Sequence, residues 1–230
     1  MNVSVIEFPG SNCDHDVVHL YSSVLDSKVE LIWHSDRDLK NPDLVILPGG
    51  FSYGDYLRSG AIARLSPVME EVVSFANKGG LVVGICNGFQ ILCEAKLLPG
   101  ALLRNINRKF LSQFVHIKLE NDQLPFTKNM KSGDVITCPI AHGEGNYFAD
   151  AETIERIEKD GHVVFRYCDA EGKVDSENRV SNPNGSINSI AGICNPTGNV
   201  VGFMPHPERS VEEIVGFVGS ASGLPLFKCN

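Results

Sequence analysis

Residues 81–90 read Leu81-Val82-Val83-Gly84-Ile85-Cys86-Asn87-Gly88-Phe89-Gln90. An apolar run of strand length meets a cysteine set between two glycines, and an apolar-periodic stretch follows. That order predicts a strand, a sharp turn and a helix. A strand feeding a helix through a tight turn is the building unit of an α/β sheet, so these ten residues set the fold expectation. Small residues on both sides of such a turn avoid collisions that a Cβ would cause. The helix expected over 88–95 would aim its free N–H groups and its dipole at the sulfur, which favours negative charge there. The N–H of Asn87, one residue past the cysteine, would face a developing oxyanion, and such a donor is worth ~3 kcal/mol of barrier. A buried cysteine also packs well as a small hydrophobe, and this stretch alone leaves both readings open.

Working outward, residues 3–8 form a strand candidate closed by Pro9-Gly10. Residues 14–25 carry Val17, Val18, Leu20, Tyr21, Val24 and Leu25 at the spacing of one helix face. Strands are expected over 29–33 and 44–47, the second ended by Pro48-Gly49-Gly50. Residues 62–77 read as a helix broken near Pro67 and stopped by Gly79-Gly80. Strands alternating with helices predict a three-layer α/β fold: an open, mostly parallel, flavodoxin-like sheet with helices on both faces. The second half changes character. Val115, Ile117 and Leu119 alternate with His116, Lys118 and Glu120, the period-2 mark of a half-exposed strand. Further strands are expected over 135–140, 163–167 and 199–204, a helix over 151–159, and a loop over the Asn-, Ser- and Gly-rich residues 175–189. No repeat, low-complexity tract or linker divides the sequence, so one domain is expected over 1–230.

The 230 residues are 43% apolar, enough for a sizeable core, and the net charge of −8 argues against nucleic acid as a main partner. The N-terminus lacks the basic and apolar regions of a secretory leader, and no apolar run reaches membrane-spanning length. Seven cysteines with no CxxC pair fit a reducing cytoplasm better than a disulfide framework. Cys93 lies among apolar helix residues and reads as core. Cys138, Cys168 and Cys194 lie in or beside strands without the glycine pair. Cys13, His15 and His19 lack a fourth metal ligand, and no metal is expected.

A cysteine nucleophile needs an oriented base. His206-Pro207-Glu208 offers one: prolines on both sides of His206 favour extended backbone, where positions i and i+2 share a side. Glu208 could then hold one ring nitrogen and leave the other for sulfur. A stiff surface turn with a solvated ion pair fits the same spacing. Gly50 or Phe51, just past a strand, could supply a second oxyanion N–H; no Gly-Lys-Ser/Thr follows, so this is not a Walker A loop. Gln90, one helical turn after Cys86, suits a zwitterionic amino acid, or is simply an exposed polar residue.

Five segments carry a resemblance: Pro9-Gly10-Ser11-Asn12-Cys13-Asp14, the run from Pro48 to Tyr56, Gly84 to Gln90, Ala141-His142-Gly143-Glu144-Gly145-Asn146, and Met204-Pro205-His206-Pro207-Glu208-Arg209. Together they resemble class I, triad-type glutamine amidotransferases, and within them the family of phosphoribosylformylglycinamidine synthase subunit I. The resemblance implies hydrolysis of L-glutamine by Cys86, His206 and Glu208, with no cofactor in this chain. Ammonia would pass to a large synthetase subunit (PurL-type), which uses ATP and magnesium, and a small subunit (PurS-type) would bridge the two. It also makes His142 and Glu144 candidates for a loop that senses the partner. Relatives tend to carry a longer final helix after the stretch matching Gly223 to Phe227, which leaves the C-terminal packing open. A stand-alone cysteine hydrolase of γ-glutamyl amides is a competing reading. The His142-Gly143-Glu144-Gly145 segment, similar to the synthetase-coupled family, counts against it. A catalytically silent subunit is another, and the intact Cys86, His206 and Glu208 count against that.

Overall fold

The computed structural model describes residues 1–228. Among them are eleven strands: β1 (Asn2–Glu7), β2 (Lys28–Trp33), β3 (Leu44–Leu47), β4 (Leu81–Ile85), β5 (Ala101–Leu103), β6 (Leu111–Leu119), β7 (Val135–His142), β8 (Asn146–Phe148), β9 (Val163–Cys168), β10 (Ile190–Cys194) and β11 (Val200–Phe203). The α-helices are α1 (Asp14–His19), α2 (Pro67–Asn77), α3 (Asn87–Glu94), α4 (Ala151–Lys159) and α5 (Leu224–Phe227). The chain divides into two compact units, Met1–Pro99 with Asn199–Gly202, and Gly100–Gly198 with Phe203–Asn230.

In the first unit the strand order is β2-β1-β3-β4, with β11 beside β4. The pairs β1–β2, β1–β3 and β3–β4 are parallel, with Val3 opposite both Val29 and Leu44, and Leu44 opposite Leu81. β3 and β11 are buried along their whole length, and β4 at all but its first residue. Both faces of this sheet are therefore covered, which is why these strands read as continuous apolar runs. Helix α1 packs on β1, α2 on β4, and α3 on β3 and β4. The expected 14–25 helix is α-helical to His19 and then widens to a π-turn, with the Leu25 N–H donating to the Leu20 carbonyl at 3.0 Å. The break expected near Pro67 is a helix start: extended Ser66 is the N-cap and Pro67 opens α2, where its missing N–H costs nothing.

In the second unit the order is β10-β9-β6-β7, and the pairs β10–β9, β9–β6 and β6–β7 are antiparallel. β7 alternates strictly, with Ile136, Cys138, Ile140 and His142 buried. Three strands go unmarked in the sequence. β5 and β8 are three residues each and pair only with one another, too short for a period to show. β10 is interrupted by Gly192 and carries register shifts against β9. The 175–189 segment is a loop, as its composition predicts, yet Ser181, Asn182, Asn184 and Ser186 are buried. Their side chains satisfy backbone groups from within: Asn182 Nδ2 donates to the Ser176 and Ser186 carbonyls at 3.1 and 2.9 Å. No described helix is long and apolar enough to cross a membrane.

Candidate active site

Cys86 sits between β4 and α3 at φ 51°, ψ −104°, a conformation that L-residues rarely adopt. Surrounding backbone enforces it. A Cβ on Gly88 would lie 1.9 Å from the Leu47 carbonyl oxygen, and one on Gly84 would lie 2.7 Å from the Gly88 carbonyl. Both glycines are thus required by close backbone approach, as the sequence predicts. Cys86 is 4% exposed. Plain packing explains a buried thiol but not one held in a strained turn.

The loop after β3 is tied to the start of α3. The Ser52 N–H donates to Asn87 Oδ1 at 3.1 Å, and Asn87 Nδ2 donates to Gln90 Oε1 at 2.8 Å. Cys86, Asn87, Gln90 and the Gly50 loop are therefore one cluster. Gln90 is buried, which excludes its reading as an ordinary exposed residue. The two oxyanion candidates of that loop now separate. The Phe51 N–H is spent on the Gly10 carbonyl at 2.9 Å, whereas the Gly50 N–H makes no hydrogen bond among the described residues. Gly50 has φ 148°, and a Cβ there would lie 2.8 Å from Ser11 Cα. The Asn87 N–H lies in the first turn of α3, where no intrahelical acceptor exists.

The second unit carries the other cluster. His206 Nδ1 is 2.6 Å from Glu208 Oε1, and the two residues are 1% and 3% exposed. That burial excludes the solvated surface pair. The expected extended backbone is not what brings them together. Pro207–Arg209 form a 3-10 turn, and the His206 N–H is pinned to the Pro139 carbonyl of β7 at 2.8 Å. Glu208 Oε2 has no partner among the described residues. Cys138, on the buried face of β7, has its thiol pushed well up, first by burial and then by the Glu208 charge.

His142 needs correcting as a surface candidate, whereas Glu144 does not. His142 is 3% exposed, because it stands on the buried face of β7, so it cannot itself meet a partner. Glu144 is partly exposed, and its Oε1 lies 3.6 Å from Arg104 Nε. Asn105 holds the His142 ring; thirty-seven residues separate the two, and no local pattern marks that partnership. Cys93, Cys168 and Cys194 are disfavoured as thiolates by their surroundings. Burial raises Cys93, and pushes Cys168 up to about 12 and Cys194 up to about 11. No cluster of three or more His, Cys, Asp or Glu side chains suited to a metal occurs among the described residues, and the Cys13 thiol donates to Asn12 Oδ1 at 3.1 Å.

Residues 1–217 match the model of the CobB/CobQ-like glutamine amidotransferase domain. The phosphoribosylformylglycinamidine synthase subunit PurQ of Chlorobaculum parvum is 55% identical over 99% of this chain and 88% of its own length. The subunit of the same name from Gloeobacter violaceus is 54% identical, covering 99% and 96%. A solved structure described as PurLQS from Thermotoga maritima contains a chain with TM-score 0.84 and 40% identity, covering 99% of this chain and 96% of that one.

Proposed function

The chain belongs to the phosphoribosylformylglycinamidine synthase subunit PurQ family of glutamine amidotransferases, and from that membership we propose how its residues divide the work. The protein is the glutaminase subunit of that synthase in purine biosynthesis. It hydrolyses L-glutamine and delivers ammonia to a PurL-type synthetase subunit, in an assembly that includes a PurS-type small subunit. The synthetase uses ATP and magnesium to convert formylglycinamide ribonucleotide to its amidine, and this chain needs no cofactor of its own. The setting is the cytoplasm, which suits a chain in which no disulfide joins the described cysteines.

Cys86 is the nucleophile of this reading, His206 its base, and Glu208 the group that orients His206 and stabilises its imidazolium. The N–H groups of Asn87 and Gly50 receive the oxyanion, and Gln90 contacts the amino-acid end of the substrate. The observation that carries the reading is the conformation of Cys86, strained at φ 51° and locked by two glycines that tolerate no Cβ. The test is glutaminase turnover of the isolated chain and of the chain assembled with its synthetase and the synthetase's ligands. A rise in kcat/KM of about two orders of magnitude on assembly is expected, the size of one oxyanion donor gained. Equal activity in both states would reject coupling to a synthetase.

A further inference from the structure

Asn87 lends its backbone N–H to the oxyanion reading, but its side chain has no part in that. The side-chain amide makes two contacts, and both lie within the first unit. Oδ1 accepts the Ser52 N–H at 3.1 Å, and Nδ2 donates to Gln90 Oε1 at 2.8 Å. Ser52, Asn87 and Gln90 are all buried. A backbone N–H can only donate, so the contact to Ser52 fixes which end of the Asn87 amide is oxygen. Nδ2 then faces Gln90, and the Gln90 amide must turn its oxygen toward Asn87. One side chain thus sets the polarity of the next.

Both partners depend on this side chain for a reason visible in their surroundings. Along the loop after β3 the neighbouring N–H groups are held by backbone. That of Phe51 donates to the Gly10 carbonyl at 2.9 Å, that of Tyr53 to the Pro9 carbonyl at 2.6 Å, and that of Gly54 to the Phe51 carbonyl at 2.8 Å. The Ser52 N–H, two residues past Gly50, goes instead to a side chain. At the other partner, packing fixes the main chain. A Cβ on Gly60 would lie 2.9 Å from the Gln90 carbonyl carbon and 2.8 Å from Ile91 N, so the Gly60 backbone rests on that turn of α3. Gln90 has its side chain left to orient, and Asn87 holds the oxygen at its end. Asn87 itself follows Cys86 directly and opens α3, so both contacts are anchored at the strained turn.

We propose that the Asn87 side chain is a positioning residue for glutamine hydrolysis. Through Ser52 it holds the loop that presents the Gly50 N–H to the oxyanion. Through Gln90 it holds the amide that meets the amino-acid end of the substrate. The inference rests on the glutaminase reading above and adds a side chain that acts through its neighbours. Its two arms bear on different quantities. A displaced oxyanion donor weakens binding of the transition state and lowers kcat. A misdirected Gln90 weakens binding of substrate and transition state alike, which raises KM. Asparagine serves both arms because it carries one acceptor and one donor. Aspartate would set an oxygen against Gln90 Oε1, and alanine reaches neither partner.

The test is glutaminase kinetics of Asn87→Ala, Gln90→Ala and the double variant, each in the assembled complex. Asn87→Ala is expected to lower kcat about tenfold and to raise KM about tenfold. In the Gln90→Ala background the same substitution should still lower kcat by a similar factor, but it should raise KM no further. Asn87→Asp keeps an acceptor for the Ser52 N–H and loses the donor to Gln90. It should raise KM much more than it lowers kcat, with kcat read on the plateau of its pH profile so that a shifted Cys86 does not enter. This variant carries the test if Asn87→Ala does not fold. KM effects that multiply in the double variant would overturn the proposal, because Asn87 would then not act through Gln90. So would a lower urea midpoint in Asn87→Ala with kcat and KM unchanged, the mark of a purely structural contact. For Asn87→Asp, a loss confined to kcat would do the same. A parent complex that does not hydrolyse glutamine would remove the glutaminase reading itself, a result that involves no variant.

Discussion

His206 Nδ1 and Glu208 Oε1 stand 2.6 Å apart with both side chains shut off from solvent. In the proposed roles the Glu208 carboxylate accepts a hydrogen bond from Nδ1–H, which leaves Nε2 of His206 as the base. Glu208→Gln weakens that orientation and removes the charge that stabilises imidazolium, but it leaves the base in place. His206→Ala removes the base. The alanine variant is therefore expected to lose ~10²-fold more kcat than Glu208→Gln. Steady-state glutaminase kinetics of the assembled variants decide it, and a larger loss in Glu208→Gln would reverse the two roles.

Cys86→Ala should abolish glutamine-dependent amidine synthesis while the complex retains synthesis from added ammonium salts. In the proposed division of work Cys86 acts only on the amide of glutamine, and the acceptor chemistry belongs to the partner. Gel filtration would establish that the variant still assembles. Loss of the ammonia-driven reaction in an intact complex would contradict this division of labour.

Gly88→Ala is expected to destabilise the protein by ~3 kcal/mol, at the upper end of overpacking costs. The added Cβ would meet the Leu47 carbonyl oxygen at 1.9 Å, and backbone on both sides must move to admit it. Phe51→Ala, on a half-exposed side chain, should change stability far less. Urea unfolding of the two variants tests the contrast, and comparable midpoints would show that the turn is looser than its geometry.

Much of this was legible because the relevant residues are close in sequence. The turn around Cys86 is five residues with glycines at both ends, and His206 and Glu208 are two apart. β3 falls on the residues its apolar run predicts, and α4 on the expected residues 151–159. What stayed hidden depends on distant chain. Which of Gly50 and Phe51 keeps a free N–H is decided by the Gly10 carbonyl, forty residues away. The burial of His142 follows from the register of β7, and the hold on its ring from Asn105. Three strands escaped because three residues, or five with an internal glycine, carry too little period to read.

His142 also predicts how stability responds to acid. Burial first, and the His206 charge second, set its folded pKa at about 3, below the ordinary value of 6.5. Between these values the unfolded chain binds a proton that the folded chain refuses, so stability falls as pH drops through this window. The contribution is fully present above pH ~6.5 and levels off below pH ~3. The slope from this one group approaches ~1.4 kcal/mol per pH unit inside the window. The neighbour that sharpens it, His206, is present in both wild type and His142→Gln, so comparing the two isolates the ring. Urea unfolding at half-unit steps from pH 7 to pH 4 should show the wild type losing stability more steeply than His142→Gln, whatever their absolute difference at pH 7. Parallel curves would mean that His142 takes up its proton at the same pH in the folded and the unfolded chain, and that burial does not hold its ring neutral.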